Sequence, residues 1–212
     1  MTAPASSPGN PEDGPDPIVP DPDGPDPFDA TLRLVAALEA AGVDYMVVGS
    51  FSSNLYGVDR STADADFLVA AKVSDLTAAA RSLGPEFVPD PQIGFESVTG
   101  LRRIRVGLKG SGFEFEFFLM GDDPHDAERL ARRVRKDLGD GREAWAATAE
   151  DLIVAKLRWA KDARRAKDRE DLETVLFAQR GRLDIPYIER WAAEHGTLGL
   201  YREIAATIPP LD

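Results

Sequence analysis

Residues 48-VGSFSSNLYGVDRSTADADFLV-69 carry two aspartates, Asp64 and Asp66, at the start of an apolar run that otherwise has the composition of a buried β-strand. Aspartate is depleted in strands, so its use twice within three residues needs an explanation. Side chains two residues apart leave the same face of a strand, about 7 Å apart. Like charges on one buried face repel each other, and a divalent cation with oxygen ligands removes that penalty. The pair therefore predicts a Mg²⁺ (or Mn²⁺) site.

Gly49 and Ser50 precede Asp64 by about a dozen residues and follow the apolar, β-branched segment 43–48. A glycine at the end of a strand lets a phosphate approach the backbone, and a following short helix offers free N–H groups. Phosphates at Gly49 and Ser50 and metal ions at the aspartates would together hold a nucleoside triphosphate. Thr62 shares the face of Asp64 and is expected to orient a carboxylate.

A two-metal site usually needs a third carboxylate, and 113-FEFEFFLM-120 offers two. In a strand its phenylalanines at 113, 115 and 117 point to one face, and Glu114 and Glu116 point to the other. The pattern alone also fits a half-exposed strand whose glutamates only face water.

The combination of Gly-Ser, a gap of about a dozen residues and Asp-x-Asp resembles the nucleotidyltransferase superfamily related to DNA polymerase β. The run Arg60-x-Thr62-x-Asp64-x-Asp66 is similar to the branch that contains AbiE-type toxins and many uncharacterised bacterial nucleotidyltransferases. In that family an acidic residue on a later strand completes a triad, and Glu116 matches it best by position. The family usually has aspartate at this position, so the longer Glu116 is a departure. Glu114 is the alternative candidate for the third acidic residue.

The resemblance implies an enzyme that moves a nucleoside monophosphate from a nucleoside triphosphate to an acceptor hydroxyl on tRNA, a protein or a small molecule. It implies that the metal-binding catalytic residues are Asp64, Asp66 and Glu116. The residues it implies for triphosphate binding are Gly49, Ser50, Arg60, Thr62 and Lys156.

Lys156 belongs to 150-EDLIVAKLRWAK-161, which is similar to an Asp-Leu-Ile-x-x-Lys helix of the same family. Lysine is seldom buried without a partner, and the alternative is a surface lysine whose stem covers apolar neighbours. The basic run 156–169 is either an RNA-binding face or an ordinary solvated helix surface. Asp168 and Asp171 are explained by ion pairs along their own helix.

Two rival functions remain open. The first is a non-catalytic module of the same fold, such as one half of a toxin–antitoxin pair, which the glutamate at 116 favours. The second is an antibiotic-modifying enzyme that acts on a small molecule, which an acidic rather than basic cleft rim would favour over RNA.

The expected fold is α+β, with a nucleotidyltransferase-like mixed β-sheet, flanking helices and a small C-terminal helical domain. Residues 1–27 are Pro- and Asp-rich and predicted to be disordered, 28–147 form the α/β domain, and 148–212 form the helical domain. Hydrophobic periodicity and breakers predict strands at 43–48, 64–71, 102–110, 113–120 and 142–147, and helices at 28–42, 51–57, 73–84, 126–137, 149–162, 167–180, 185–194 and 198–207.

The net charge of −12 comes largely from the first 29 residues, which hold seven acids and no lysine or arginine. The charge therefore argues only weakly against a nucleic-acid partner. The absence of cysteine excludes disulfides and thiolate metal sites. The chain shows neither a signal-like start nor a long apolar run, so we expect a cytoplasmic protein without a membrane partner. The sequence does not specify the oligomeric state. His125 and His195 receive no chemical role, and the three tryptophans are assigned to the core.

Overall fold

The computed structural model describes residues 24–58, 61–162 and 166–210. The predicted disordered tail therefore lies largely outside the described residues. The helices in these ranges are α1 Pro27–Ala40, α2 Gly49–Asn54, α3 Val73–Ser82, α4 Pro124–Ala131, α5 Ala149–Asp162, α6 Ala166–Gln179, α7 Ile185–Glu194 and α8 Leu198–Ala205. The strands are β1 Asp44–Val48, β2 Asp64–Ala70, β3 Phe87–Pro89, β4 Gly94–Phe95, β5 Arg102–Leu108, β6 Phe113–Leu119, β7 Val134–Asp137 and β8 Glu143–Ala146.

Three helices begin in the same way, with an aspartate at the N-cap and a proline in the first turn. Asp26, Asp123 and Asp184 accept hydrogen bonds from backbone N–H groups at the starts of α1, α4 and α7. The cap satisfies a donor that the helix leaves unpaired, and proline has no N–H to leave unpaired. These local signals explain why the boundaries of α7 agree with the expectation from sequence.

The strands form one mixed sheet in the order β3-β5-β6-β2-β1-β8-β7, with β4 paired to β5. β2 is central, antiparallel to β1 and parallel to β6. This mixed sheet with flanking helices confirms the predicted α+β fold class.

The two faces of the sheet are covered differently. On one face, alternate residues of β2 and β6 such as Phe67, Phe115 and Phe117 are fully buried against α1 and α3. On the other face, Met46 and Leu68 pack with Leu130 of α4 in a smaller cluster. The second face is therefore less completely filled, and it is the face to which Asp64 and Asp66 belong, because they alternate with the buried residues of β2.

The helices α5 to α8 pack around a second apolar cluster that includes Ile153, Leu157 and Leu172. Tyr56, which follows α2, joins this cluster and donates a hydrogen bond from its hydroxyl to the carbonyl oxygen of Ala147 at 2.6 Å. The helices are thereby fixed beside the strand-to-helix connection at Gly49. The division of the chain at residue 147 stays a prediction.

One predicted helix is wrong in its second half, and three strands were missed. The predicted helix 126–137 ends at Ala131, and Val134–Asp137 is a strand that pairs with β8 through a turn at Gly139, Asp140 and Gly141. All three turn residues have positive φ, and this geometry closes a hairpin whose cross-strand hydrogen bonds replace those of a helix. The missed strands β3 and β4 have only three and two residues, too few for a periodic pattern.

Within the described ranges, no helix combines the length and the apolar character needed to span a bilayer.

Candidate functional site

A cleft of about 270 Å³ lies between the second face of the sheet and the helices α5 and α6. Six of the eight residues that the sequence singled out line this cleft. They are Gly49, Ser50, Asp64, Asp66, Glu116 and Lys156. Residues more than a hundred positions apart in the chain therefore share one cavity.

The pairing of β2 with β6 explains why the carboxylates meet. The two strands run parallel, and Asp66 lies directly opposite Glu116 while Asp64 lies opposite Glu114. Paired residues on adjacent strands point to the same face. Glu116 enters the cleft, whereas the side chain of Glu114 is 46% exposed and approaches Arg105 at 3.9 Å.

Gly49 packs directly against one of the two aspartates. It has a φ of +62°, and a Cβ atom built on it would lie 1.8 Å from Oδ2 of Asp66. Only glycine fits this position, both because of the left-handed backbone and because of the contact. The close approach that we expected between Gly49 and a phosphate is made, in this structure, by the Asp66 carboxylate.

Thr62 lies beside the cleft and donates a hydrogen bond from its hydroxyl to Oδ1 of Asp64 at 2.6 Å. The contact agrees with the prediction that Thr62 orients a carboxylate. Arg60, the remaining residue predicted to bind triphosphate, lies outside the described residues.

The electrostatics of the cleft floor are unfavourable for its carboxylates. Burial, with the neighbouring charges of Asp64 and Glu116, raises the pKa of Asp66 to about 8. Burial also raises the pKa of Glu116, and the guanidinium of Arg103 opposes that rise. Ionisation of Asp66 and Glu116 is therefore unfavourable in the protein alone, which is the condition that a bound cation relieves.

Glu116 already has a cationic partner. Nη1 of Arg103 lies 3.0 Å from Oε1 and 3.2 Å from Oε2 of Glu116. Within the described residues, no group of three or more histidine, cysteine, aspartate or glutamate side chains is arranged as a metal-binding cluster. The metal-binding role of Glu116 stays a prediction.

Lys156 is buried, with 4% of its surface exposed, and it bridges two helices. Its Nζ lies 2.7 Å from Oδ2 of Asp171 and 3.4 Å from Oδ1 of Asp168. Both aspartates of α6 therefore contact Lys156 of α5, and Lys156 is not a surface lysine. The ion pairs predicted along their own helix stay a prediction. Its role in triphosphate binding stays a prediction.

We expect Lys156→Ala to lower the free energy of unfolding by about 3–5 kcal/mol, because it removes a buried positive charge that faces two buried carboxylates. Urea denaturation followed by circular dichroism measures the change. Arg169→Ala is the control, since among the described residues Arg169 pairs with the exposed Glu173 and Glu203 and should cost about 1 kcal/mol or less. Equal costs for the two variants would contradict the structural role of Lys156.

The two histidines, which received no chemical role from the sequence alone, both have charged neighbours in the fold. His125 lies in the first turn of α4, is buried, lines the cleft, and has Nε2 3.2 Å from Oδ1 of Asp151. The ring of His195 stacks near Trp191, and its Nε2 lies 3.3 Å from Oδ2 of Asp123. Helix packing creates these contacts between distant residues, and no sequence spacing indicates them.

The His195 contacts predict acid sensitivity. Burial lowers the pKa of His195 to about 4, and the charges of Arg158 and His125 add to this while Asp123 opposes it. Because the unfolded chain binds the proton more readily, stability is present above about pH 6.5 and is lost as the pH falls toward 4. The unfolding free energy of the wild type minus that of His195→Gln should decrease by on the order of 3 kcal/mol between pH 7 and pH 4. A difference that stays constant across this range would contradict the prediction.

Two further parts of the cleft wall were not anticipated. Trp159 is only partly buried and lines the cleft, whereas we assigned it to the core. Glu96 is buried, and its carboxylate accepts hydrogen bonds from the backbone N–H groups of Val98 and Thr99, at 2.6 Å each. These bonds hold the turn between β4 and β5 at the edge of the cleft.

Similar structures share this arrangement of sheet and helices. The solution structure of the antibiotic-resistance factor ANT(2'')-Ia matches with a TM-score of 0.57 at 13% sequence identity, over 84% of this chain and 99% of that chain. The crystal structure of ANT(2'')-Ia in complex with adenylyl-2''-tobramycin matches with a TM-score of 0.54 at 14% identity, over 80% and 97% of the two chains. The chain has the nucleotidyltransferase fold.

A nucleotidyltransferase-like protein from Paracoccidioides brasiliensis is also similar, with a TM-score of 0.49 at 14% identity, over 89% of this chain and 96% of that chain. No family model and no curated protein matches the sequence. The predicted closeness to AbiE-type toxins therefore stays a prediction, while the nucleotidyltransferase fold that the Gly-Ser and Asp-x-Asp pattern indicated is confirmed.

Proposed function

We propose that the protein is a metal-dependent nucleotidyltransferase that transfers a nucleoside monophosphate from a nucleoside triphosphate to an acceptor hydroxyl. The observation that supports this most strongly is the position of Asp64 and Asp66 on one face of β2, beside Glu116 and the Gly49–Ser50 connection, at the floor of a cleft. The arrangement provides acidic groups for a cation and a strand-to-helix turn for phosphates in the same cavity.

The donor set of Asp64 and Asp66 fits a hard divalent cation such as Mg²⁺ or Mn²⁺. Carboxylate oxygens are the preferred ligands of these ions. Burial and the neighbouring charges of Asp64 and Glu116 raise the pKa of Asp66, and a bound cation would offset both effects. Thr62 orients Asp64 through a hydrogen bond of 2.6 Å. A bound cation would neutralise charge on the phosphate oxygens as the transition state forms.

Other residues that line the cleft would bind the phosphates and the base of the nucleoside triphosphate. Ser50 lies at the start of α2, at the edge of the cleft near Asp66, where its backbone and hydroxyl can receive phosphate oxygens. Lys167 lines the same wall, and its positive charge favours an anionic group there. Trp159 offers a flat apolar surface for a base.

In the transfer, the acceptor oxygen forms a bond to the α-phosphorus, the bond between that phosphorus and the oxygen bridging to the β-phosphate breaks, and pyrophosphate leaves. Glu116 would take the proton of the acceptor hydroxyl. Its pKa is raised by burial, which makes it a better proton acceptor than an exposed glutamate. Positioning and electrostatic stabilisation supply most of the acceleration in reactions of this class.

A small molecule is the acceptor class that the cleft favours over tRNA or a protein. Among the described residues, four cationic side chains of the cleft wall are paired with carboxylates of the protein itself, which makes this part of the wall less suited to an RNA backbone. These pairs are Arg103–Glu116, Arg129–Asp126, Arg158–Asp123 and Lys156–Asp171. The structurally similar ANT(2'')-Ia was crystallised with adenylyl-2''-tobramycin, an adenylylated small molecule.

The second candidate is a binding module of the same fold without catalytic activity. The contact of Arg103 with both oxygens of Glu116 favours the non-catalytic module. Because of this contact, Glu116 is less available to bind a cation or to accept a proton. The retention of both Asp64 and Asp66 in the cleft argues for the enzyme instead.

Incubation of the full-length protein with Mg²⁺ and each of the four α-labelled nucleoside triphosphates tests the proposal. Bulk cell RNA, cell protein and a small-molecule extract are supplied as separate acceptors, and an Asp64→Ala/Asp66→Ala variant is the control. We expect label in the small-molecule fraction with the wild type and none with the variant. The absence of label under every condition would favour the non-catalytic module.

A further inference from the structure

Glu116 and Arg103 form the one ion pair that involves a predicted member of the acidic triad within the described residues. Arg103 approaches both carboxylate oxygens through a single nitrogen, at 3.0 and 3.2 Å. The pair is partly buried, since the side chain of Glu116 is 15% exposed and that of Arg103 is 32% exposed. Charge-assisted hydrogen bonds in such surroundings are stronger than surface ion pairs.

The two partners of this ion pair are not directly opposite each other in the sheet. Arg105, not Arg103, lies directly opposite Glu116 across the antiparallel pair β5–β6. Arg105 turns instead toward Asp90, with Nη2 2.7 Å from Oδ2. Arg103 reaches Glu116 along the diagonal, a distance that long side chains can span.

The glutamate at 116 has a physical role in this contact. An aspartate would end about 1.5 Å closer to the backbone because it lacks one methylene. The longer side chain lets the carboxylate extend toward the Arg103 guanidinium on the neighbouring strand. The departure from the aspartate usual at this position therefore coincides with a bond that an aspartate would make poorly.

The remaining two carboxylates are differently placed. Asp64 accepts a hydrogen bond from Thr62, and the carboxylate of Asp66 packs against Gly49, where a Cβ atom would lie 1.8 Å from Oδ2. Within the described ranges, the three acidic residues do not form a cluster that could enclose a metal ion. A cation held by Asp64 and Asp66 fits this arrangement, whereas a second cation that needs Glu116 would meet the positive charge of Arg103.

We infer that the site takes a single divalent cation, held by Asp64 and Asp66, and that Arg103 compensates the charge of Glu116 in place of a second cation. The inference rests on the proposed nucleotidyltransferase function. Glu116 then acts as a proton acceptor whose position is set by Arg103, and it is not a metal ligand. Arg103 is a positioning residue in this arrangement.

Binding of Mn²⁺ to the full-length protein tests the inference without relying on activity. The protein is saturated with an α,β-methylene triphosphate, which cannot be cleaved at that bond, and equilibrium dialysis counts the Mn²⁺ bound per chain. Electron paramagnetic resonance of the same samples detects spin coupling, which two ions about 4 Å apart show and a single ion does not. Analogues that carry each of the four bases are tested separately.

We expect one uncoupled Mn²⁺ in the wild type. Arg103→Ala should bind a second, spin-coupled ion at least ten-fold more tightly than the wild type, because Glu116 becomes available. Glu116→Asp should give the same result, since the shorter carboxylate withdraws from Arg103. Arg105→Ala is the matched control and should remain at one ion.

Two coupled ions in the wild type would overturn the inference and leave the proposed function intact. One ion in both Arg103→Ala and Glu116→Asp would overturn the role of Arg103. If the wild type holds no more Mn²⁺ than an Asp64→Asn/Asp66→Asn variant, the proposed function itself fails, and the inference fails with it.

Discussion

Asp64→Asn and Asp66→Asn are each expected to reduce label transfer from an α-labelled nucleoside triphosphate by about 100- to 1,000-fold or more. Either change keeps the size of the side chain but removes one of the two carboxylates at the cleft floor. Without that charge a divalent cation is held weakly, and the developing charge on the phosphate oxygens is left uncompensated. Initial rates measured at saturating Mg²⁺ give the reduction.

The fold of these variants should remain intact, and this separates catalysis from stability. Asp66→Asn removes a carboxylate that is desolvated and repelled by Asp64 and Glu116, so its melting temperature in EDTA should equal or exceed that of the wild type. Asp75→Asn is the control for activity, because Asp75 is exposed in the first turn of α3. Transfer that survives in both Asp64→Asn and Asp66→Asn at the Asp75→Asn rate is incompatible with the proposed mechanism.

Gly49→Ala is expected to lower the free energy of unfolding by about 3 kcal/mol or more and to abolish transfer. A left-handed backbone costs a residue other than glycine about 1–2 kcal/mol. The added methyl group would also lie 1.8 Å from Oδ2 and 2.9 Å from Cβ of Asp66, and relieving such a clash costs about 1–3 kcal/mol more. The aspartate must move, and the cation site moves with it. Chemical denaturation and the label-transfer assay measure the two effects.

Gly42→Ala provides a matched control for the backbone contribution. Gly42 has nearly the same φ, +67°, but a Cβ atom there would meet nothing within 4 Å. Its cost should therefore be about 1–2 kcal/mol, with transfer unchanged. If the two variants are equally stable and both active, the contact between Gly49 and Asp66 does not constrain the site.

Local patterns predicted most of the secondary structure. The spans 149–162 and 185–194 agree with α5 and α7 at both ends, because apolar periodicity and breakers act within one helical turn. The alternation of 113-FEFEFFLM-120 correctly assigned the phenylalanines to the buried face and the glutamates to the opposite face, where Glu116 lines the cleft. The strand at 134–137 was missed because its hydrogen bonds go to β8, and four residues carry no clear period of their own.

The burial and the contact partners of individual charged or polar side chains were harder to predict. Lys156 stands in an apolar helix, where its position is compatible with a triphosphate ligand or with a solvated lysine. The structure buries it against Asp171 of the next helix. His125 received no role, although it is buried beside Asp151 and lines the cleft. Such contacts depend on how helices pack, and packing is not encoded in the spacing of either partner.

The amino-acid order alone established that Asp64 and Asp66 share a face, that a glycine turn precedes them, and that Glu116 belongs to a second strand with an acidic face. These properties follow from backbone geometry over a few residues. Three features arise only in the folded chain. They are the pairing of β2 with β6, the contact of Gly49 with Asp66, and the ion pair of Glu116 with Arg103. They bring together residues far apart in sequence, and their positions are set by inter-strand hydrogen bonds and by side-chain packing across the cleft.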